Sequence, residues 1–390
     1  MALLDSDNGS GFSLDSIKDA VERTMNPLDE ARHLPGDIYT SSEVLALEKK
    51  RVVMKDWLCM ARVEEVENPG DYMTFRVLGE PVLIARDEDG EINAFANVCR
   101  HRGVEVAAGA GNAKEFSCPY HGWLYDLKGN LQGVPFMNNV KDFDFKNCRL
   151  KTLGTAIWAG FIFINFDPDA EPFEDYVKDF DDAFGMLKME ECRLADKLVA
   201  DLDCNWKLVV ENFMDIYHVQ TIHTDTFGGA IKLEDFNFET KERGFFSAFY
   251  DAAPMVIGQK TLFGKMPWME KYPESFACTG ILAPNLQMFA RCDDVQPFVI
   301  WPLAPDKTRV IVYTLMPTKN FADPAFDEKM KSYVDFMAQV VGEDEEMVRS
   351  LQNGVGSRSF EPGPLSYLET SIHHLINYNL ERTFGQDGGV

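Results

Sequence analysis

One stretch of the chain, residues 99–123, constrains its fold more than any other. It reads CRHRGVEVAAGAGNAKEFSCPYHGW, with Cys99-Arg100-His101 at one end and, after sixteen residues, Cys118-Pro119-Tyr120-His121. Two thiol–imidazole pairs so far apart in sequence serve one metal site only if the fold brings two loop tips together. The flanks fit that demand. Segments such as YMTFRVLG, PVLIARDEDGEINAFANVC and EFSCPYHGWLYDLKGNLQGVP alternate apolar and polar residues and are broken by the turn pairs Asp89-Gly90 and Gly129-Asn130. That is the grammar of a small antiparallel β domain over residues 45–160. The chain has only seven His, and four of them fall in two tight clusters. Of the eight Cys, only Cys99 and Cys118 sit in a pattern; the others lie mostly among apolar neighbours and read as buried small hydrophobes.

Two metals compete for the first cluster. A structural zinc ion takes the same ligand types, but its usual spacing keeps Cys with Cys and His with His. Here each half supplies one of each, which suits a two-iron cluster with thiolates on one iron and imidazoles on the other. Gly103, Gly109, Gly111 and Gly122 would let backbone N–H groups approach the sulfides, and Pro119 and Trp123 would stiffen and cover the second loop. The motif C-R-H-R-G followed by C-P-Y-H-G-W resembles the Rieske motif of ring-hydroxylating and related non-haem iron oxygenases. That resemblance implies that Cys99, His101, Cys118 and His121 ligate a [2Fe–2S] cluster. Stand-alone Rieske ferredoxins carry the same motif, so it does not by itself assign an activity.

The second cluster lies in WKLVVENFMDIYHVQTIHTD, residues 206–225. His218 and His223 are five residues apart, about 140° around an ideal helix, so they converge only if the helix ends or bulges after His218. Asp215 lies one turn earlier, and Glu211 and Asp215 sit at i, i+4 with Asn212 between them. Acids buried beside imidazoles are costly unless a cation joins them. The stretch is similar to the E-N-x-x-D-x-Y-H-x4-H segment of the same oxygenase family. The resemblance implies that His218 and His223 bind a mononuclear Fe(II). It makes Asp215 the bridge that passes an electron from a Rieske His of a neighbouring subunit, His121 in preference to His101, and has Asn212 and Tyr217 line the site.

A 2-His-1-carboxylate site needs one acid more. The family takes it from a late helix, here GEDEEMVRSLQNG, in which Asp344 stands eight residues before Gln352. Val340, Val341, Met347, Val348 and Leu351 surround Asp344 at helical spacing, so it projects from the apolar stripe. Glu343 is the reserve ligand, and Glu346 should face water.

The expected fold is α+β. An N-terminal Rieske antiparallel β domain at 45–160 precedes a C-terminal helix-grip catalytic domain at 161–390, which has an antiparallel sheet and helices, among them a long one over residues 324–353. Residues 1–44 form a helical segment packing on the catalytic domain. The resemblance further implies a homotrimer and a terminal oxygenase that uses O2. Its electrons would come from NAD(P)H through a separate flavin and iron–sulfur reductase or ferredoxin, since the chain has no GxGxxG dinucleotide fold of its own. The reaction expected is mono- or dihydroxylation, or oxidative demethylation, of a small molecule. The pocket is expected from the sheet strands and the 224–265 segment, including Phe227, Phe245, Phe246, Phe249 and Met255. So many aromatic rings favour a planar aromatic substrate, as in aromatic hydrocarbon catabolism. They also suit a quaternary ammonium group held by cation–π contact. A net charge of −25 argues against nucleic acid and anionic membrane partners. With no basic-apolar leader and no long apolar run, the expected location is cytoplasmic.

Overall fold

A computed structural model of the chain describes residues 18, 21–231, 233, 236–254, 256, 258 and 260–385. Its first half is antiparallel throughout. β1 (Leu58–Arg62), β2 (Asp71–Val77), β3 (Glu80–Arg86), β4 (Ile92–Ala96) and β5 (Ala110–Asn112) are followed by the short β6 (Glu115–Ser117), β7 (Leu124–Asp126) and β8 (Leu131–Gly133). Next come β9 (Gly154–Trp158) and β10 (Phe161–Asn165). They form three sheets, of order β4-β3-β2-β5, β6-β7-β8 and β1-β10-β9. The loops β4–β5 and β6–β7 carry the two Cys/His pairs. The expected division between residues 160 and 161 falls in the turn of the β9–β10 hairpin, whose strands pair from Phe161↔Trp158 to Asn165↔Gly154. β10 also pairs with β1 and is buried at every position, so its unbroken apolar run belongs with the first half rather than the second.

The second half is one seven-stranded sheet with helices against it. In chain order its strands are β11 (Cys192–Leu202), β12 (Asn237–Thr240), β13 (Phe246–Asp251), β14 (Phe276–Leu282), β15 (Leu286–Arg291), β16 (Phe298–Ala304) and β17 (Lys307–Pro317). The spatial order is β11-β17-β16-β15-β14-β13-β12. The helices are α1 (Asp37–Thr40), α2 (Ser42–Glu48), α3 (Phe173–Phe184), α4 (Trp206–Met214), the single turn α5 (Val219–Ile222), the 30-residue α6 (Phe326–Val355) and α7 (Thr370–Phe384). One apolar cluster joins β1, β10 and α3 to one set of sheet residues, including Met288 and Tyr313. A second joins α4, α6 and α7 to residues such as Ile300, Val310 and Phe246. Each large side chain buried there contributes about 1.5–3 kcal/mol.

The N-terminal segment locks onto this second cluster. Ser41 caps α2 by accepting from the Glu43 and Val44 N–H groups, and Leu34, Ile38, Tyr39 and Val44 are buried beside Leu208 and Val340. Lys207 is the one cation of α4. It pairs at 2.7 Å with buried Glu48, which also accepts from the Trp206 indole at 3.0 Å. A buried pair with its remaining acceptor satisfied fixes how α2 sits on α4, and loss of either partner would strand a charge. Among the described residues no helix is long and apolar enough to cross a membrane.

Candidate active site

The two Cys/His loops are the same turn built twice. The Cys99 N–H donates to Val104 O at 2.8 Å, and Gly103 N–H returns to Cys99 O at 3.0 Å. The Cys118 N–H donates to Trp123 O at 2.8 Å, and Gly122 N–H returns to Cys118 O at 2.9 Å. Each turn needs a left-handed residue four places after its Cys, with φ 80° at Gly103 and 69° at Gly122, which glycine adopts without strain. The pairing in sequence is mixed, but in space like meets like. The Nδ1 atoms of His101 and His121 are 3.1 Å apart, and Cys99 and Cys118 are buried side by side at 3% exposure. Both histidines are exposed at the tip; Trp123 stacks on His101 at 4.9 Å, and the Tyr125 hydroxyl lies 3.3 Å from Cys99 Sγ. Among the described residues, three metal-ligating atoms lie within 4.8 Å of one another only at the second site, so these four spread wider than one ion spans. Two inner thiols and two outer imidazoles fit a two-iron cluster and not a single zinc. Burial pushes the Cys118 thiol up, so a bound cation is what would hold it as thiolate.

At the second site the chain breaks earlier than the sequence suggests. The α4 helix, capped by Asn205, stops at Met214, and Asp215 is already extended at φ −79°, ψ 102°. The reason is local. Asp215 Oδ1 accepts the Tyr217 N–H at 2.7 Å, and the Ser371 hydroxyl of α7 donates to the freed Met214 carbonyl at 3.1 Å. His218 and His223 then flank the single turn α5, and their Nε2 atoms come to 3.3 Å. Asp344, on α6, completes the set. Its Oδ1 lies 3.5 Å from His218 Nε2 and 3.3 Å from His223 Nε2 but makes no hydrogen bond, although it is buried. An orphaned carboxylate oxygen facing two imidazole nitrogens is what a bound cation would satisfy, and the donor set is that of a non-haem Fe(II) site.

The far nitrogens also face carboxylates, His223 through a hydrogen bond and His218 through proximity alone. Asp215 Oδ2 is 3.3 Å from His218 Nδ1, and Glu343 Oε2 is 2.7 Å from His223 Nδ1. Glu343, the reserve ligand in the sequence reading, therefore backs His223 instead, and the Thr226 hydroxyl donates to the same oxygen at 2.8 Å. Such carboxylates fix the tautomer that leaves Nε2 free for metal. Phe227 stacks on the His223 ring at 4.5 Å. Burial pushes His218 down, but Asp215 and Asp344 outweigh it and bring its pKa to about 9. Burial likewise pushes Asp344 up, yet contacts with His218, His223 and Asn212 hold it down at about 2.

The three donors stand at the wall of a partly open cavity. Phe213, Phe227, Phe236, Tyr250, Phe289 and Phe298 give it aromatic walls; Asn212, Thr279 and Gln287 supply polar atoms, and Met337 and Val340 of α6 close one side. Gln287 donates to the Val210 carbonyl, which leaves its Oε1 without a partner.

Several expected site residues fall elsewhere. Tyr217 is 58% exposed and is not part of the cavity wall, because the break at Asp215 turns it outward. Phe245 and Phe246 are buried in the two apolar clusters, and Phe249 packs on Phe184 and Phe276. Met255 lies outside the described residues. Glu211 does not join Asp215 at the metal; it accepts from the Tyr39 hydroxyl at 2.9 Å, and burial pushes its pKa up to about 7. Sequence reasoning missed Phe289, Gln287 and Thr279. Their signal was the strand alternation in FACTGILAPNLQMFAR, which sets the cavity-facing positions once the register is known.

Residues 56–144 match the Rieske [2Fe-2S] domain family, and residues 189–383 match the family described as ring hydroxylating alpha subunit, catalytic domain. The chain belongs to the ring-hydroxylating oxygenase alpha-subunit family, with its Rieske [2Fe–2S] cluster and mononuclear iron. It is 39% identical over 203 residues to the carnitine monooxygenase oxygenase subunit of Acinetobacter baumannii, covering 51% of this chain and 54% of that one. It is 37% identical over 223 residues to the large oxygenase component of salicylate 5-hydroxylase of a Ralstonia species, covering 52% of each. The chain thus spans about half the length of these curated relatives. The crystal structure of the quaternary ammonium Rieske monooxygenase CntA with an inhibitor superposes with a TM-score of 0.77 at 25% identity, covering 94% of this chain and 98% of that one.

Proposed function

We propose that this chain is the terminal oxygenase component of a multi-component system. Cys99, His101, Cys118 and His121 hold its cluster, and His218, His223 and Asp344 hold its iron. The observation that carries the reading is the convergence of three donors on the wall of an aromatic cavity, with each imidazole backed by a carboxylate. When bound, the cluster supplies electrons one at a time and the iron supplies O2 activation. The chain's own residues do the rest. Asn212 bonds Asp344, Glu343 and Thr226 hold His223 in one tautomer, and the aromatic wall excludes water.

The substrate reading moves from a planar hydrocarbon to a small quaternary ammonium compound. The Acinetobacter relative and the CntA structure support it, as do the π-faces of Phe213, Phe298 and the Phe236–Tyr250 stack (4.3 Å), which suit a desolvated cation. An aromatic substrate is the second reading, favoured by the Ralstonia relative. The electron donor is a separate reductase or ferredoxin fed by NAD(P)H. The assembly is a cytoplasmic homotrimer in which Asp215 of one subunit faces His121 of the next; the exposure of His121 and the partial exposure of Asp215 support that contact. Anaerobically reconstituted protein, given a surrogate reductase, NADH and O2, should convert an ammonium substrate with product matching O2 consumed. Conversion of salicylate-type compounds alone would move the assignment to the second reading.

A further inference from the structure

Arg291 ends β15 at 1% exposure, and its Nε, Nη1 and Nη2 have no hydrogen-bond partner among the described residues. A guanidinium so deeply buried is normally forked onto a carboxylate. Its position explains what it could meet instead. Residues Gln287, Phe289 and Arg291 alternate onto one face of β15, and the first two line the cavity. Across the sheet, Arg291 is level with Ala277, and Ala277 with Tyr250, which also lines the cavity. The small Ala277 between them lets the Tyr250 phenol approach Arg291. The Tyr250 phenol faces the guanidinium, which lies 4.5 Å over the Phe289 ring. On α6, the positions running away from Asp344 are Val340, Met337 and then Tyr333, whose hydroxyl donates to Asp293 Oδ2 at 2.6 Å. From Asp344 to Met337 is about 10 Å of helix. Arg291 therefore stands behind Phe289 at the end of the cavity remote from the metal ligands. The acids beside it, Asp293 and Asp294, are themselves buried, and both Asp294 oxygens lack partners. Burial pushes both acids up and the Arg291 charge pulls them back down, yet neither carboxylate bonds the guanidinium.

We propose that Arg291, with the Tyr250 hydroxyl beside it, is the carboxylate-recognising pole of the substrate cavity, reached as the Phe289 ring turns aside. Resting on the oxygenase reading above, this narrows the substrate to an ammonium carboxylate: the cationic end among the aromatic rings near the iron, the anionic end at Arg291. A carboxylate there forms the charge-assisted bonds that the guanidinium lacks.

The test measures binding to the metal-loaded protein by calorimetry for two matched pairs, carnitine with choline and salicylate with phenol, in wild type, Arg291→Lys and Arg291→Met. The carboxylated member of at least one pair should bind at least about tenfold tighter in wild type. That preference should largely vanish in Arg291→Met and survive in part in Arg291→Lys, with binding of the uncharged or cationic member unchanged. A preference shown only by the salicylate pair keeps the anion pole and retires the ammonium substrate. Equal losses for both members of a pair would make Arg291 a structural residue. That result overturns the proposal, as does a wild type with no carboxylate preference, including one that binds none of the four.

Discussion

Iron binding at His218, His223 and Asp344 should release a proton, and the size of the effect follows from the site. In the metal-free protein His218 sits at about 9, because Asp215 and Asp344 together outweigh its burial. Metal needs the neutral imidazole. At pH 7, two units below that value, about 1% of His218 is neutral, so apparent iron affinity falls about 100-fold from its high-pH limit, roughly 2.7 kcal/mol. Between pH 6 and 8 the apparent Kd should improve about tenfold per unit. The sign for the metal-free fold is opposite. A raised pKa contributes stability that is fully present below the unfolded value near 6.5 and is lost as pH rises through about 9. Competition against a chromophoric Fe(II) chelator under anaerobic conditions measures the slope. Asp215→Asn removes one of the two acids and should flatten it. An apparent Kd unchanged from pH 6 to 8 in the wild type would refute the reasoning, because no proton would then be displaced.

Other expectations follow from single contacts. In Asp215→Ala the cluster should form and reduce normally and iron affinity should fall about 10–100-fold, while product nearly vanishes even with iron in excess; single-turnover experiments separate the steps, and normal turnover would remove the bridge. Glu343→Gln should cost about 10–100-fold in iron affinity without unfolding the protein, since it loosens His223 at Nδ1 and leaves the Nε2 face in place; the same chelator titration reads it. In Gly228→Ala a new Cβ would lie 2.5 Å from Val219 O and 2.9 Å from His223 O, so the α5 turn must shift. Iron content should fall while the Rieske spectrum, about another part of the chain, stays unchanged.

The side chains that converge at the two candidate sites were legible because residue type at fixed spacing marks them. Asp344 was legible through its neighbours, since Val340, Val341 and Val348 are all buried and mark the inward face of α6. The stripe is not perfect: Leu351 is 46% exposed, although Val355, one turn further on, is buried again. What sequence could not supply was register and termination. The family resemblance placed Tyr217 in the site, whereas a side-chain bond of Asp215 to the Tyr217 backbone ends α4 early and leaves that ring exposed. The aromatic run Phe245–Phe249 has the composition of a pocket but packs into the core. Only strand pairing shows that Tyr250, Thr279, Gln287 and Phe289 face the cavity. Glu343 is a tertiary contact of a helix surface residue, and no local pattern marks it.

Metal and acid-labile sulfide content of anaerobically purified protein, with a spectrum of the dithionite-reduced form, tests the central claim most directly. The account predicts about three irons and about two sulfides per chain with a Rieske-type signal. Two irons and two sulfides, unchanged after incubation with Fe(II), would leave the cluster standing and contradict His218, His223 and Asp344 as the oxygen-activating site.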